Sequence, residues 1–565
     1  MAEYFSPGVY VEEYDNSPRS IEGVGTSTAG FVGLAEKGPV IGAPLLVTNF
    51  KEFTRQFGGF LSEFSFEGYR FLAYAVEQFF VNGGTRCYVS RVAPKDAKEA
   101  SVTKGVLTVK AANPGKWGNR IQVTVNSVFG KKLQLIAKSG DGYVAKTAEG
   151  FREGDIVVVG DEYNKIKTIF DDTITFENEF ATDVVDTNVI PTTVLNRVTF
   201  DIDVRYNDEV EKFSGLTFNP ADPYFVGNKL KTSELVEVTV DAFDEIKNPV
   251  TAILGEEETA GMFVLEGGSD GTVAKVNAGT FIGEDKGPGK RTGIQSFLEN
   301  NLVSMMAVPG VTIPEVAVAL VAHCENLKSR FAVLDMPEEM YKTQDLMQYR
   351  EMIDSTYAAM YHPWIQVFDR LTNKPGFVPP SGAVLGVYSR TDIARGVHKA
   401  PANETVMCTG LKVNYNKDEQ DILNPVGINL IRALPGQGIR VWGARTASSN
   451  ANFKYVNVRR LFIYVEESIK QNTNWVVFEP NDTTLWDRVM MTISSFLDGL
   501  WRNGMLVGTS PSEAYFVEIG TSTMSRDDIN NGKLICNIGI APSRPAEFVI
   551  FRITQHTAEA GGGGE

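Results

Sequence analysis

The feature that most constrains this chain is a change of residue periodicity that happens twice. Helix-period and strand-period stretches alternate near the start and again after Asn301, but residues 96–290 between them are almost wholly strand-like. Thr28–Ala35 reads as a short buried strand. Glu67–Asn82 reads as a helix, with Tyr69, Leu72, Ala73, Val76 and Phe79/Phe80 on one face. Asn82-Gly83-Gly84 stops it, because Gly and Asn accept the left-handed C-terminal turn, and Thr85–Val92 is then a strand. From Leu302 the order is strand (Leu302–Val308), helix (Pro314–Ser329), strand (Phe331–Leu334), helix (Thr343–Met360) and strand (Trp364–Phe368). That β-α-β-α-β alternation calls for layered α/β packing. The expected fold class is therefore α+β or α/β and multidomain. Its core of mixed α/β layers is built from residues 25–95 and 291–450, with an all-β region at 96–290 inserted between them.

The insert shows a second level of nesting. Ser101–Val125 and Asn196–Val240 read as strands of one β-domain, with turns such as Asn113-Pro114-Gly115 and Asp141-Gly142. Between them, about 131–195, lies a smaller module. Its short strands, Gly154–Gly160, Ile166–Ile169 and Thr173–Phe176, are separated by acidic turns, and that spacing predicts a small barrel.

Residues 451–555 form a further domain. Asn452–Gln471 carries an apolar stripe of Tyr455, Val458, Leu461/Phe462, Val465 and Ile469. Leu485–Asn503 carries Trp486, Val489, Ile493, Phe496/Leu497 and Leu500. Both have the 3.6-residue period of a helix facing a core, so Trp486 is expected to be buried. Ala514–Ile519, Lys533–Ile540 and Glu547–Thr554 follow as strands. Phe548, Val549, Ile550, Phe551 and Ile553 are apolar on both faces, which predicts burial on both sides of a sheet. At the other end, residues 1–24 read as an extended arm. Phe5, Val9, Tyr10 and Val11 have strand chemistry, Pro7 and Pro18 forbid a helix, and no local partner is evident. Pro18, Gly23 and Gly25 would give its linker a hinge. Residues 556–565, with Gly561–Gly564, form a flexible tail.

Composition narrows the function. The 54 Lys and Arg stand against 70 Asp and Glu, a net charge of −16 that argues against a nucleic-acid partner. The first residues lack a basic stretch followed by an apolar core, and no uncharged run approaches the ~20 residues of a membrane helix, so cytoplasmic synthesis is expected. Cys87, Cys324, Cys408 and Cys536 are far apart and form no CxxC pair, which predicts free thiols. His323, His362, His398 and His556 show no paired metal-ligand spacing. His323-Cys324 lacks a second ligand pair, and His362, before Pro363, reads as a turn residue. Gly283–Thr292 evokes a phosphate loop, but Glu284 stands where Gly is required and Arg291 where Ser or Thr is required. Leu265–Gly271 has a single acid, too few to cage calcium. No Gly-x-Ser-x-Gly elbow leads into a helix, so nothing supports a Ser nucleophile. No enzyme, cofactor or metal is expected.

Several ordered motifs resemble those of contractile tail sheath proteins of phages and related injection particles. They are Ser6-Pro7-Gly8-Val9-Tyr10-Val11-Glu12-Glu13, Ala112–Ile121, Gly438–Thr446 with Arg440, Trp442 and Arg445, Tyr455–Leu461, Phe478-Glu479-Pro480-Asn481, Ala514–Val517, Asn531–Leu534 and Ala541–Phe548 with Pro545 and Glu547. The likeness spans nearly the whole chain except roughly Lys131–Val194. It implies a structural subunit that stacks as homohexameric rings in a helical sheath around an inner tail tube protein. Contraction would drive that tube through a target envelope, so any target membrane is met only indirectly and nucleic acid not at all. Baseplate and tail terminator proteins would be further partners. Assembly would occur in the host bacterial cytoplasm, giving part of a virion tail or phage-tail-like particle. In the family, terminal arms add strands to neighbouring subunits, a role that fits Phe5, Val9, Tyr10 and Val11 at one end and Phe548–Phe551 and Ile553 at the other. Arg440, Arg445, Arg459 and Arg460 either pair acids within the domain or across a subunit boundary, or form a charged surface toward the tube; the pairing is favoured for Arg445, and Arg459 and Arg460 stay open. A static filament or surface-layer-type protein is the alternative reading.

Overall fold

A computed structural model of the chain describes residues 20–180, 193–241, 243–255 and 258–550. The chain divides into two compact units, one of Met1–Gly30, Glu77–Tyr88 and Asn301–Glu565, the other of Phe31–Val76 and Val89–Asn300. Strand β1 (Ala29–Leu34), helix α1 (Leu72–Val81) and strand β2 (Cys87–Val92) each begin in one unit and end in the other. The fold is α+β and multidomain, as the alternation of periods requires.

In the unit of Phe31–Val76 and Val89–Asn300, β-structure dominates. A three-stranded sheet joins β3 (Ser101–Lys104), β4 (Leu107–Ala111) and a later strand, Val236–Val240. The larger sheet is organised by two long strands, β5 (Gln122–Ser139) and β10 (Val194–Tyr206), paired antiparallel from Gln122↔Arg205 to Gln134↔Val194. Between them in sequence run β6 (Gly142–Ala145), β7 (Ile156–Val159), β8 (Glu162–Phe170) and β9 (Thr173–Phe176). The pairings β10–β7, β7–β8, β8–β9, β9–β6, β6–β5 and β5–β10 return to their start, so six strands close a small barrel. Closure removes the free edges that short strands would otherwise expose. The barrel has its own core, including Leu133, Leu135, Ile166, Ile174 and Leu195. The other halves of β5 and β10 serve a separate core around Trp117, Val123, Phe200 and Val204. At the barrel's base Arg197 donates to Asp155 Oδ1 at 2.9 Å and to Asp222.

The other unit contains a parallel set, β11 (Met305–Ala307), β12 (Phe331–Asp335), β13 (Ala358–His362) and β14 (Ile428–Leu434), followed by antiparallel β15 (Gly438–Val441) and the edge residues Glu404–Thr405. Helix α2 (Pro314–Leu327) links β11 to β12, and α3 (Thr343–Arg350) links β12 to β13. The first expected strand of this series is shorter than Leu302–Val308, since Asn301–Ser304 lie outside it. The helix expected to reach Met360 stops at Arg350, because Ala358–His362 is a fully buried strand inside the parallel set. His362 is accordingly a buried strand residue, with Nε2 2.9 Å from the Tyr415 hydroxyl, and not a turn residue. Helix α4 (Ser381–Arg395) is buried on nearly every side, so it has no polar stripe and no readable period. Gly386 lies where a Cβ would come 2.5 Å from the Phe79 carbonyl oxygen, so the backbone approach demands glycine. The start of α4 is held by Asp335 at the end of β12, whose carboxylate accepts from the Ser381 amide at 2.8 Å, the Ser381 hydroxyl at 2.6 Å and the Gly310 amide at 3.0 Å. Cys87 and Cys324 are buried, Cys408 and Cys536 are partly buried, and none of the four is joined in a disulfide.

Candidate functional site

The C-terminal part of the same unit is built on α5 (Val456–Asn472) and α6 (Thr483–Arg502). Leu461, Val465, Leu485, Val489, Ile493, Leu497 and Leu500 pack into one core. Trp486, expected in that core, is half-buried instead. Leu485 takes the inward place, and the Trp486 indole nitrogen donates to Asn481 Oδ1 at 2.7 Å. The indole thus keeps a polar partner at the surface, as amphipathic aromatics do. Against α6 lies a two-stranded sheet of β16 (Tyr515–Ile519) and β17 (Cys536–Ile540). Each strand has one ladder edge without a partner strand among the described residues.

The buried side of α5 is unusually polar, with Asn457, Arg459, Arg460, Glu467 and Ser468 all buried. Buried polar groups need partners, and some of these partners come from the first and last described segments of the chain. Arg460 makes a two-bond pair with Asp392 on α4, at 3.0 and 2.6 Å, stacks 4.8 Å over the Tyr388 ring and donates to the Thr26 carbonyl at 3.0 Å. Ser304 Oγ also donates to that carbonyl, at 2.6 Å. The Val24 amide donates to Ser468 Oγ at 3.1 Å, and Asn472 Nδ2 donates to the Glu22 carbonyl at 3.0 Å. So the end of the N-terminal arm has a local partner after all. Gly23 is not a free hinge either: a Cβ there would sit 2.0 Å from the Tyr464 hydroxyl, so its glycine permits close passage over α5. Pro18 lies outside the described residues, as do Phe5, Val9, Tyr10, Val11, Phe551 and Ile553.

The C-terminal segment is held at the other end of α5. Glu547 receives both guanidinium bonds of Arg445, Nε and Nη2 at 2.8 Å each, together with the Tyr455 hydroxyl at 2.9 Å and Asn424 Nδ2 at 2.7 Å. Tyr455 is the residue that begins α5, and Asn457 in its first turn donates to the Ser543 carbonyl at 3.1 Å. Burial opposes ionisation of Glu547. The bonds from Arg445, Asn424 and Tyr455, with the Arg445 charge, outweigh it and hold the carboxyl down at about 2. Directly beyond this clamp the chain turns out to solvent. Phe548, Val549 and Ile550 are 71%, 67% and 79% exposed and form no strand here, contrary to the expected doubly buried strand. The reason is that no sheet edge among the described residues covers them. Pro545, Glu547, Phe548, Val549 and Trp442 instead border an open groove of about 1320 Å³.

The remaining expected residues are dispersed. Arg440 donates to the Asn403 carbonyl at 2.8 Å on the sheet edge. Asn481 ties its loop to the Lys533 carbonyl at 2.9 Å. Phe478, beside the exposed Pro480, is fully exposed in the left-handed region at φ 68. Arg459 stacks on Phe453 and Tyr357. The structure therefore joins Arg445 to Glu547 across 102 residues of sequence, and gives Arg459 and Arg460 internal partners. Sequence reasoning missed Asn424, Asp392, Ser468 and Asn472. For Ser468 the available signal was a polar residue on the inward face of an amphipathic helix. Among the described residues no group of three or more His, Cys, Asp or Glu side chains is gathered to hold a metal, and no helix is long and apolar enough to cross a membrane.

Comparison with known proteins gives this architecture its class, that of sheath proteins of contractile tails. Residues 287–447 match the phage tail sheath protein central domain, and residues 448–556 match the phage tail sheath C-terminal domain. A putative prophage major tail sheath protein of Pseudomonas aeruginosa (strain UCBPP-PA14) is 25% identical over 292 residues, 49% of this chain and 73% of the relative. The tail sheath protein of Escherichia phage P2 is 24% identical over 326 residues, 56% of this chain and 78% of the relative. The fold is shared with the sheath complex of an extracellular contractile injection system, PVC, in its contracted state. That match has a TM-score of 0.53 at 21% identity and covers 98% of this chain and 99% of the other. By these matches, residues 287–556 belong to the contractile phage tail sheath family.

Proposed function

We propose that this chain is the repeating structural subunit of a contractile sheath. It polymerises as stacked hexameric rings around an inner tube protein, attaches to baseplate and terminator proteins, and shortens to push the tube through a target envelope. The observation that carries this reading is that two unlike strand-forming features lie open. Phe548, Val549 and Ile550 leave the Glu547 clamp exposed, and β16–β17 keeps two ladder edges without a partner strand among the described residues. Strand addition satisfies both, with backbone bonds giving affinity and alternate side chains giving specificity. Such a contact is heterologous and does not close on itself, which generates a helical tube. The N-terminal residues Phe5, Val9, Tyr10 and Val11 would supply the second added strand. Shortening needs no nucleotide if the extended lattice is a trapped, higher-energy packing. The subunits would assemble in the bacterial cytoplasm and end in a virion tail or tail-like particle.

Electron microscopy of the purified full chain tests this. Tubes of two diameters, long-thin and short-wide, are expected. Tubes of a single fixed diameter under every condition would favour a static filament, and monomers alone at high concentration would reject assembly. Deleting residues 1–20 should leave circular dichroism unchanged while sedimentation shifts to small species. Long contractile tubes from that truncation would exclude the N-terminal arm as a coupler.

A further inference from the structure

The two ends of the chain are fastened to opposite ends of one helix. The C-terminal segment is held at the start of α5, by Tyr455, by Asn457 in the first turn and by Arg445, which forms an isolated bridge with Tyr455. The N-terminal segment runs along α5 in the other direction. Its Thr26 carbonyl sits at Arg460, its Val24 amide at Ser468 and its Glu22 backbone at Asn472, the last residue of the helix. Seventeen helical residues separate these exits, about 25 Å at 1.5 Å per residue.

We propose that α5 is a tension strut between neighbouring copies of the chain. Glu547 and Arg445 form the latch that fixes one exit, and Ser468 and Asn472 form the latch that fixes the other. The proposal rests on the sheath reading above and adds to it positioning residues that touch no neighbour themselves. Its physical basis is direction. A pull on the C-terminal segment meets a bidentate charged pair, and a pull on the N-terminal segment meets several hydrogen bonds spread along the helix. Both pulls converge on one α-helix whose inward side is locked to α4 through Arg460 and Asp392. The spacing between the exits then stays constant while subunits tilt. The two latches differ in chemistry. The C-terminal one is ionic, with Arg445 side chain 7% exposed and Glu547 side chain 19% exposed. The N-terminal one is neutral apart from Arg460.

The test uses the full chain and two variants at opposite ends of the helix, Glu547→Gln and the double variant Ser468→Ala with Asn472→Ala. Hydrogen exchange by mass spectrometry on unassembled protein reads each latch directly. Glu547→Gln should speed exchange across residues 543–550 by roughly tenfold or more, the value of one charge-assisted bond, and leave residues 22–26 unchanged. The double variant should do the converse. Thermal midpoints should stay near the parent's in both, which a general loss of structure would not allow. Sheaths from either variant should be shorter than wild-type sheaths and break during contraction. Unchanged exchange in both segments overturns the latches, and faster exchange with sheaths of wild-type length and contraction overturns the strut. A wild-type chain that makes no tubes sinks the sheath reading instead.

Discussion

At the scale of single residues, charge placement decides how this protein responds to pH. Glu547 ionises near pH 2 against an ordinary 4.5, so its clamp is fully present above pH 4.5 and is lost only as pH falls toward 2. Exchange of residues 543–547 should therefore be flat from pH 8 to pH 5 once corrected for intrinsic rates. The buried histidines act earlier. Burial holds His362 down to about 4, and burial with the Arg330 charge holds His323 down to about 3, from an ordinary 6.5. The unfolded chain takes up these protons first, so stability declines as pH falls below 6.5. Asp335 has the opposite sign: burial raises it to about 6, so its contribution weakens as pH rises from 3.8 to 6. Melting curves from pH 7.5 to 4.5 should show a smaller slope for His362→Gln than for the parent, and an equal slope would show that His362 does not titrate this way. Breaking the Arg460–Asp392 pair should be costlier than any surface change. Both side chains are buried, and Asp392→Asn leaves a guanidinium without its counter-charge, a loss of about 3–5 kcal/mol measurable by denaturant titration.

At the scale of elements, backbone proximity sets what each helix tolerates. Helix α4 accepts no side chain at Gly386, because the atom in the way is a carbonyl oxygen of the main chain and cannot rotate aside. Gly386→Ala should therefore destabilise by about 1–3 kcal/mol, although alanine is the better helix former. A neutral or stabilising result in a thermal melt would show that α1 can shift to make room. Helix α6 is more forgiving at Trp486. Half-buried, its replacement by alanine should cost less than the 3–5 kcal/mol of a core aromatic, about 1–2 kcal/mol, and less than Leu497→Ala, which empties a fully buried site.

At the scale of the whole molecule, the nested barrel is separable by its own hydrogen bonding. Residues Phe129 and Val198 face each other across β5–β10, as do Lys132 and Asn196, so the strands entering and leaving the barrel are already neighbours. Replacing residues 131–194 by a short linker should keep Phe129 opposite Val198, with residues 195 and 196 joining the turn. The core around Trp117 and Phe200 shares no residue with the barrel core, and the shortened protein should fold cooperatively. We further propose that the module lies outside the tube and that residues 25–95 with 291–450 and residues 451–555 form the assembling body. Sheaths from the deletion variant, seen by electron microscopy, are the expected result. A folded variant that cannot assemble would make the barrel an assembly element.

What the sequence determined by itself is whatever repeats locally. The short strands at 156–159 and 173–176, the helix at Pro314–Leu327 and the two C-terminal helices carry their period in adjacent residues, and the family motifs carry the resemblance. The barrel was legible because its acidic turns recur at short spacing. What only the tertiary structure decided involves residues distant in sequence or buried on every side. Helix α4 has no polar face to announce it, and Ala358–His362 looked like the end of a helix until parallel neighbours claimed it. Trp486 and Leu485 are adjacent and both apolar, so which one faces inward depends on the phase that the rest of the core imposes. Arg445 and Glu547 stand out as charged residues in apolar motifs, yet their union needs Asn424 and Tyr455 to be brought to the same place. Periodicity is a property of neighbours along the chain, whereas a hydrogen bond across 102 residues is a property of the packed fold alone.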